Sequence, residues 1–294
     1  MILVTGACGF VGSHLVKGLT AEGHKVRALV RDGEHAERIK GKDVELFIGD
    51  VTDPESLEGV AEGCFAVIHL VGIIQPGPGY TFKSIHEDGT TNVIAASKDS
   101  GSVMHFIYQS ALGTRKGAVS EYHKTKYIAE ELTRGSGMNY TITRPSIIFG
   151  KGDGFTTRLT QVIRMSPVVP VIGPGKGLLQ PVYIDDLVKV FVKITGNREY
   201  YGRTLELGGP EELTFDEVVE DLKAALHTVK PTLHVPSALV RPAARIMEKL
   251  LPHPPVTIDQ LIMLDEDNIT GENAIYEFVG KPVSYREGLK KFLK

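Results

Sequence analysis

The chain has 294 residues, 42% of them hydrophobic and 23% charged, with a formal net charge of -3. That is ample material for one large domain or two smaller ones, and the charge balance advertises neither nucleic acid nor an anionic surface as partner. Two cysteines, Cys8 and Cys64, supply no disulfide framework and no metal-ligand spacing, so a reducing cytoplasmic setting without a metal is expected.

The first apolar run starts at Ile2 and leaves no room for a signal peptide, and no apolar stretch approaches the length of a membrane span. Ile2-Leu3-Val4 reads as a strand. It runs into residues 5–13, TGACGFVGS, after which Val11, Leu15, Val16 and Leu19 recur as one face of a helix. Gly6, Gly9 and Gly12 fall at every third residue of this strand-to-helix turn. The first lets the chain reverse, the second lets a diphosphate approach the free N–H groups at the helix start, and the third lets helix and strand pack closely.

The pattern repeats along the chain. Strands are expected at 25–30, 44–48, 66–71, 103–108 and 139–143. Helices are expected after Asp53-Pro54 as far as Gly63, over 84–97, and over 120–134 with Ser120 as N-cap. Strands alternating with helices imply right-handed parallel crossovers and a doubly wound α/β sheet of the Rossmann kind, with ligand at the carboxyl ends of the strands.

Those ends carry the candidate binding residues. Arg31 and Asp32 follow the second strand, about twenty residues past the glycines, where such a fold chooses between a ribose 2′-phosphate and a free hydroxyl. Arg31 comes first, which favours NADP over NAD, with Arg27 as a second positive group. After the third strand, Asp50 can meet the adenine amino group while Val51 covers its ring. Leu70, Val71 and Gly72 end the fourth, and the loop 73–81, carrying Pro76, Gly77, Pro78 and Gly79, is placed to lie over the site.

Tyr122 and Lys126 lie four residues apart on the 120–134 helix and so leave the same face. An ammonium beside a phenol stabilises the phenolate, which suits proton transfer.

The motifs TGACGFVGSHL, GDVTD, HLVG, YHKTK followed by IAEE, TRPSIIFG and QPVYIDDL together resemble the extended short-chain dehydrogenase/reductase (SDR) superfamily. HLVGI, IHEDGTTNVIAA, QSALG and GKGDGF resemble, within it, the atypical branch related to the nucleotide-binding accessory subunit of respiratory complex I. The resemblance implies Tyr122 as acid/base and Lys126 as its partner, Gly6, Gly9, Phe10, Val11 and Gly12 around the diphosphate, and Pro145 against the nicotinamide. It also implies an NAD(P)-dependent oxidoreductase acting at a carbonyl or alcohol carbon. The alternatives are a non-catalytic NADP(H)-binding scaffold or assembly factor, and a sugar-nucleotide epimerase or dehydratase. Two residues depart from the superfamily's pattern. Ala111 stands where a serine or threonine is usual, with Ser110 one place early, and His86 replaces an asparagine.

Residues 1–150, with 182–208 returning to them, are expected to form the dinucleotide-binding domain. Residues 151–181 and 209–294 are expected to form a smaller substrate domain. In the returning segment Asp185 is expected to cap a helix running to Thr195, and in the smaller domain Thr214 and Glu217 form a capping box, repeated at Ser284 and Glu287. Between the boxes, Leu239, Val240, Ala243, Ile246, Met247 and Leu250 make an apolar side beside Arg241, Arg245 and Lys249, a pattern that suits a packed solvated helix, an anionic membrane or a protein partner. A homodimer through two helices is common among such relatives.

Overall fold

Short apolar strands feeding amphipathic helices wind this chain into a parallel sheet covered on its faces. The structure is a computed structural model describing residues 1–33, 35–252 and 254–293. Its main sheet contains β1 (Ile2–Thr5), β2 (Val26–Val30), β3 (Val44–Ile48), β4 (Ala66–His69), β5 (His105–Gln109), β6 (Tyr140–Pro145) and the strand Thr204–Leu207. Their order is Thr204–Leu207, β6, β5, β4, β1, β2, β3. β1 pairs in parallel with β2 on one side and β4 on the other, Ile2 lying opposite both Val26 and Ala66. The chain's progress across the sheet reverses at β1, so the crevice for a ligand opens at the carboxyl ends of β1 and β4.

Contacts divide the chain into two compact units, Met1–Arg144 with Leu187–Leu205 and Pro145–Asp186 with Glu206–Lys294. In the first, α1 (Phe10–Ala21) turns Leu15, Val16 and Leu19 inward as their spacing implies, with Gly12 buried beside them and Val11 only half-buried. α2 (Gly89–Asp99) and α3 (Glu121–Gly135) cover a core that includes Leu3, Val67, Phe106, Tyr108 and Ile142. Enclosing each such side chain contributes about 1.5–3 kcal/mol. Ser120 caps α3 by accepting the His123 N–H at 3.2 Å. The same helix is tied to β6 by a buried carboxylate. Glu130 is fully enclosed and accepts two bonds from Arg144, at 2.8 and 2.7 Å, and one from Arg134 at 3.0 Å.

The helix expected after Asp53-Pro54 is only a single 3-10 turn, Glu55–Leu57. Asp53 does accept the Glu55 N–H at 3.2 Å, but Gly59 and Gly63 take φ of +74° and +69°, and the chain turns at each instead of winding on. The helix expected over 84–97 opens instead with a π-helical turn, Lys83–Asp88, before α2 begins. That wide turn brings Gly89 so near β3's exit that a Cβ there would stand 3.0 Å from Val51 Cγ2.

In the second unit, α4 (Gly154–Met165) follows Asp153, which caps it. α5 (Ile184–Ile194), which passes into the first unit at Leu187, begins one residue before Asp185, so that aspartate lies in the first turn and not at the N-cap position. α6 (Phe215–Ala225) has the full Thr214–Glu217 capping box. α7 (Ser237–Leu250) and α8 (Ile258–Leu264) follow, and strand Val169–Ile172 pairs in parallel with Thr232–Val235. Ser284 caps the last helix, Tyr285–Phe292, by accepting the Glu287 N–H. No helix among the described residues is long and apolar enough to cross a membrane.

Candidate functional site

At the carboxyl ends of four neighbouring strands a cavity of about 420 Å³ opens within the first unit. Gly6, Cys8 and Gly9 line it after β1, Leu29, Val30, Arg31 and Asp32 at the end of β2, and Gly49, Asp50 and Val51 after β3. Leu70, Val71, Gly72 and Ile73 line it after β4, with Tyr80 and Ile85 added by the loop and the π turn. Eight residues expected from sequence therefore share one wall: Gly6, Gly9, Arg31, Asp50, Val51, Leu70, Val71 and Gly72. Phe10, Val11 and Gly12 form the first turn of α1, while Tyr122, Lys126, Ser110 and Pro145 are not part of the lining.

The glycine turn is built as the spacing implies. Gly6 has φ +69°, the Gly9 N–H returns to Gly6 O at 3.0 Å, and the Ser13 N–H bonds Gly9 O at 2.9 Å. A Cβ on Gly12 would lie 2.2 Å from Gly6 O, so strand exit and helix start touch through bare backbone.

Arg31 and Arg27, paired in the sequence reading, have different duties. Arg31 Nη1 donates to the Tyr80 hydroxyl at 2.6 Å, and its guanidinium lies 5.3 Å above that ring, so the loop 73–81 is fastened to the cavity's edge. Arg27 is excluded from the site. Its Nη1 donates to Val60 O at 3.0 Å and Glu62 O at 2.8 Å, and its Nε bonds Glu45. A residue four places back along a strand lies about 13 Å from its end, which is why Arg27 braces the opposite region of the sheet. Arg38 was not singled out from sequence. Its charge acts on the Cys8 thiol, as does that of Asp32, while burial is the main reason the thiol is pushed up.

The groups proposed for chemistry meet this cavity at Gly72. A Cβ there would stand 3.0 Å from Lys126 Nζ and 3.5 Å from His86 Nε2. Lys126 is 3% exposed, donates to Gln109 O at 2.9 Å and lies 4.9 Å above the Tyr108 ring. Burial pushes its pKa down to about 7, with Glu130 opposing the change. Tyr122 is half-buried, its ring edge-on to Phe82 at 6.1 Å and to His86 at 5.6 Å. Burial pushes its phenol up to about 12. In the resting protein desolvation therefore favours the neutral form of both partners, which reverses the sequence expectation of a phenol made acidic by its neighbour.

His86, at the asparagine's place, is committed to the fold. Its Nε2 accepts the Ile73 N–H at 3.1 Å. Thr125 donates its hydroxyl to Glu121 O at 2.8 Å, so the His86 Nδ1–H donates to Thr125 Oγ1 at 2.9 Å. Burial, then the Lys126 charge, push its pKa down to about 2. A second buried histidine, His69, lies between Thr5 Oγ1 at 2.6 Å and Thr90 Oγ1 at 3.1 Å, beneath the glycine turn. The only signal for it in sequence was a polar residue interrupting the apolar 66–71 run.

Because β5 ends at Gln109, Ser110 lies in the following loop and strand alternation does not govern it. It is 2% exposed and donates to Thr114 Oγ1 at 3.3 Å. Pro145 closes β6 as the first residue of the second unit.

Comparison with known proteins gives this geometry its context. Residues 6–164 match the family described as NAD(P)H-binding. A ceramide reductase of Caulobacter vibrioides is 33% identical over 172 residues, 58% of this chain and 54% of the relative, so the match spans about half of that protein's length. Subunit 9 of the mitochondrial NADH dehydrogenase [ubiquinone] 1 alpha subcomplex of Arabidopsis thaliana is 27% identical over 98% of this chain and 79% of its own. The solved structure of a nucleoside-diphosphate-sugar epimerase from Staphylococcus aureus superposes with a TM-score of 0.78 at 20% identity, covering 98% of this chain and 99% of that one, which establishes a shared fold.

Proposed function

The chain belongs to the NAD(P)H-binding family, and from that premise we propose that it is an SDR-type reductase that delivers hydride to a carbonyl carbon. When bound, the cofactor supplies that hydride from its nicotinamide ring. The free N–H groups of the glycine turn hold the diphosphate, with Gly6, Gly9 and the α1 start (Phe10, Val11, Gly12) forming the corner. Asp50 and Val51 take the adenine, and Leu70 to Gly72 floor the crevice.

The observation that carries this reading is Lys126: an amine 3% exposed, bonded to a backbone carbonyl and pressed against a cavity-wall glycine, one helical turn from Tyr122. A phenol at about 12 keeps its proton at neutral pH and gives it to an alkoxide formed at the reduced carbon. The phenolate left behind is then stabilised by the lysine in its ammonium form. The electrostatics thus favour reduction. Tyr122→Phe is expected to lower turnover of NADPH with a ketone, ceramide-type lipids among those tried, by about 10²–10⁴-fold. Affinity for NADPH should stay unchanged in equilibrium titration. Undiminished turnover in that variant would remove the catalytic assignment.

A second reading, a scaffold that binds NADP(H) without turnover, is favoured by Ala111, which has no hydroxyl, and by His86, whose ring nitrogens are both spent on the fold. The likeness to a complex I subunit supports it as well. Under this reading Tyr122→Phe is silent.

Arg31 directs the cofactor choice to NADP. Its guanidinium is already oriented by Tyr80, and Arg38 adds charge near Cys8, which suits a 2′-phosphate. Arg31→Ser should weaken NADPH about 10- to 100-fold while changing NADH much less. Equal losses for both, read by nicotinamide fluorescence, would argue for NAD instead.

A further inference from the structure

The 237–250 segment alternates apolar and basic residues at helical spacing, and a packed helix would turn the apolar ones inward. α7 does this only in part. Ala244 is buried and Val240 and Met247 are half-buried, but Leu239, Ile246 and Leu250 stay 70%, 58% and 74% exposed. At about 100° per residue, Leu239, Ala243, Ile246 and Leu250 fall within a wedge of about 60°, turned away from the packed side.

The charges sort in the same way. Arg241 is spent on Asp265 at 2.6 Å, and Glu248 accepts the Ile258 N–H at 2.8 Å, so both hold α7 to its neighbour α8. Arg245 and Lys249 are exposed, and both lie on the flank of the apolar wedge opposite the packed residues. The outward surface of α7 is therefore an aliphatic ridge edged by two cations.

We infer that α7 is a membrane-docking helix, lying along an anionic bilayer surface with Leu239, Ile246 and Leu250 among the acyl chains and Arg245 and Lys249 at the headgroups. The ridge is convex and one helix wide, a shape that a fluid lipid surface accepts and that offers little of the roughly 800 Å² per partner a stable protein interface needs. A second copy is disfavoured by charge. Antiparallel two-fold pairing of the same ridge would set the Arg245 and Lys249 flank against its own counterpart, like charge facing like charge.

The test is co-sedimentation of the full chain with vesicles of phosphatidylcholine alone and with added phosphatidylglycerol. Binding to the anionic vesicles and its weakening by salt are expected. Ile246→Asp and Leu250→Asp should each lower partitioning about tenfold. Arg245→Gln and Lys249→Gln should each lower it about fivefold on anionic vesicles and leave the neutral ones unaffected. NADPH titration of each variant confirms that the first unit is intact. The inference is overturned if the wild-type chain stays in the supernatant with anionic vesicles, or if the aspartate variants sediment as it does. It is equally overturned if sedimentation equilibrium shows a dimer that Ile246→Asp converts to monomer, which would assign the ridge to a second copy.

Discussion

Alanine in place of Gly12 is expected to abolish dinucleotide binding, weakening it by more than about 100-fold, and to lower stability by about 3 kcal/mol. The added Cβ would lie 2.2 Å from Gly6 O, 2.7 Å from Ala7 Cα and 2.9 Å from Ala7 C. All three are main-chain atoms, so no side chain can swing aside, and the turn must open. Opening it moves the N–H groups that would face a diphosphate, and several charge-assisted bonds are lost together. Gly33→Ala is the control, since nothing lies within 4 Å of a Cβ there. Fluorescence titration with NADPH beside urea unfolding reads both effects. Normal binding by the Gly12 variant would show that the diphosphate is held elsewhere.

Acid should unfold the first unit well before its carboxylates titrate. His69, His86 and His105 are each fully enclosed, with pKa values pushed down by burial to about 3, about 2 and about 4. His105 is neutral by its bonding too, its Nδ1 accepting the Gly196 N–H and its Nε2 lying 2.9 Å from Thr141 Oγ1. Unfolded, each takes up a proton near pH 6.5, whereas the folded protein does not, so the unfolded state binds more protons as pH falls below 6.5 and stability drops. Between pH 7 and 5 the three together should remove up to about 5 kcal/mol. Lys126 extends the same sign upward. With its pKa lowered to about 7, stability continues to rise from pH 7 towards 10. Urea midpoints that stay level from pH 7 to 5 would mean that these rings reach their protons without unfolding.

What the sequence disclosed is what short-range chemistry determines. The 5–13 turn, the Ser120 cap and the strand ends at Arg31, Asp50 and Gly72 depend on residues within a few places of one another. The fastening of Tyr80 to Arg31 joins residues 49 apart, and no local pattern marks it. Arg27 misled because a positive charge near a motif says nothing of the distance a strand puts between two side chains. The proton affinities of Tyr122 and Lys126 also lay out of reach. Helical spacing brings the pair together, but desolvation by the surrounding fold determines which form each prefers.

The enclosed carboxylate of Glu130 gives α3 a fulcrum. One turn away stands the amine and two turns away the phenol, both rigid extensions of whatever Arg144 and Arg134 hold in place. Damage at 144 is thereby levered into the proposed proton-transfer pair without any atom there being altered, and if that pair is catalytic, steady-state rates alone would mistake it for loss of the phenol itself.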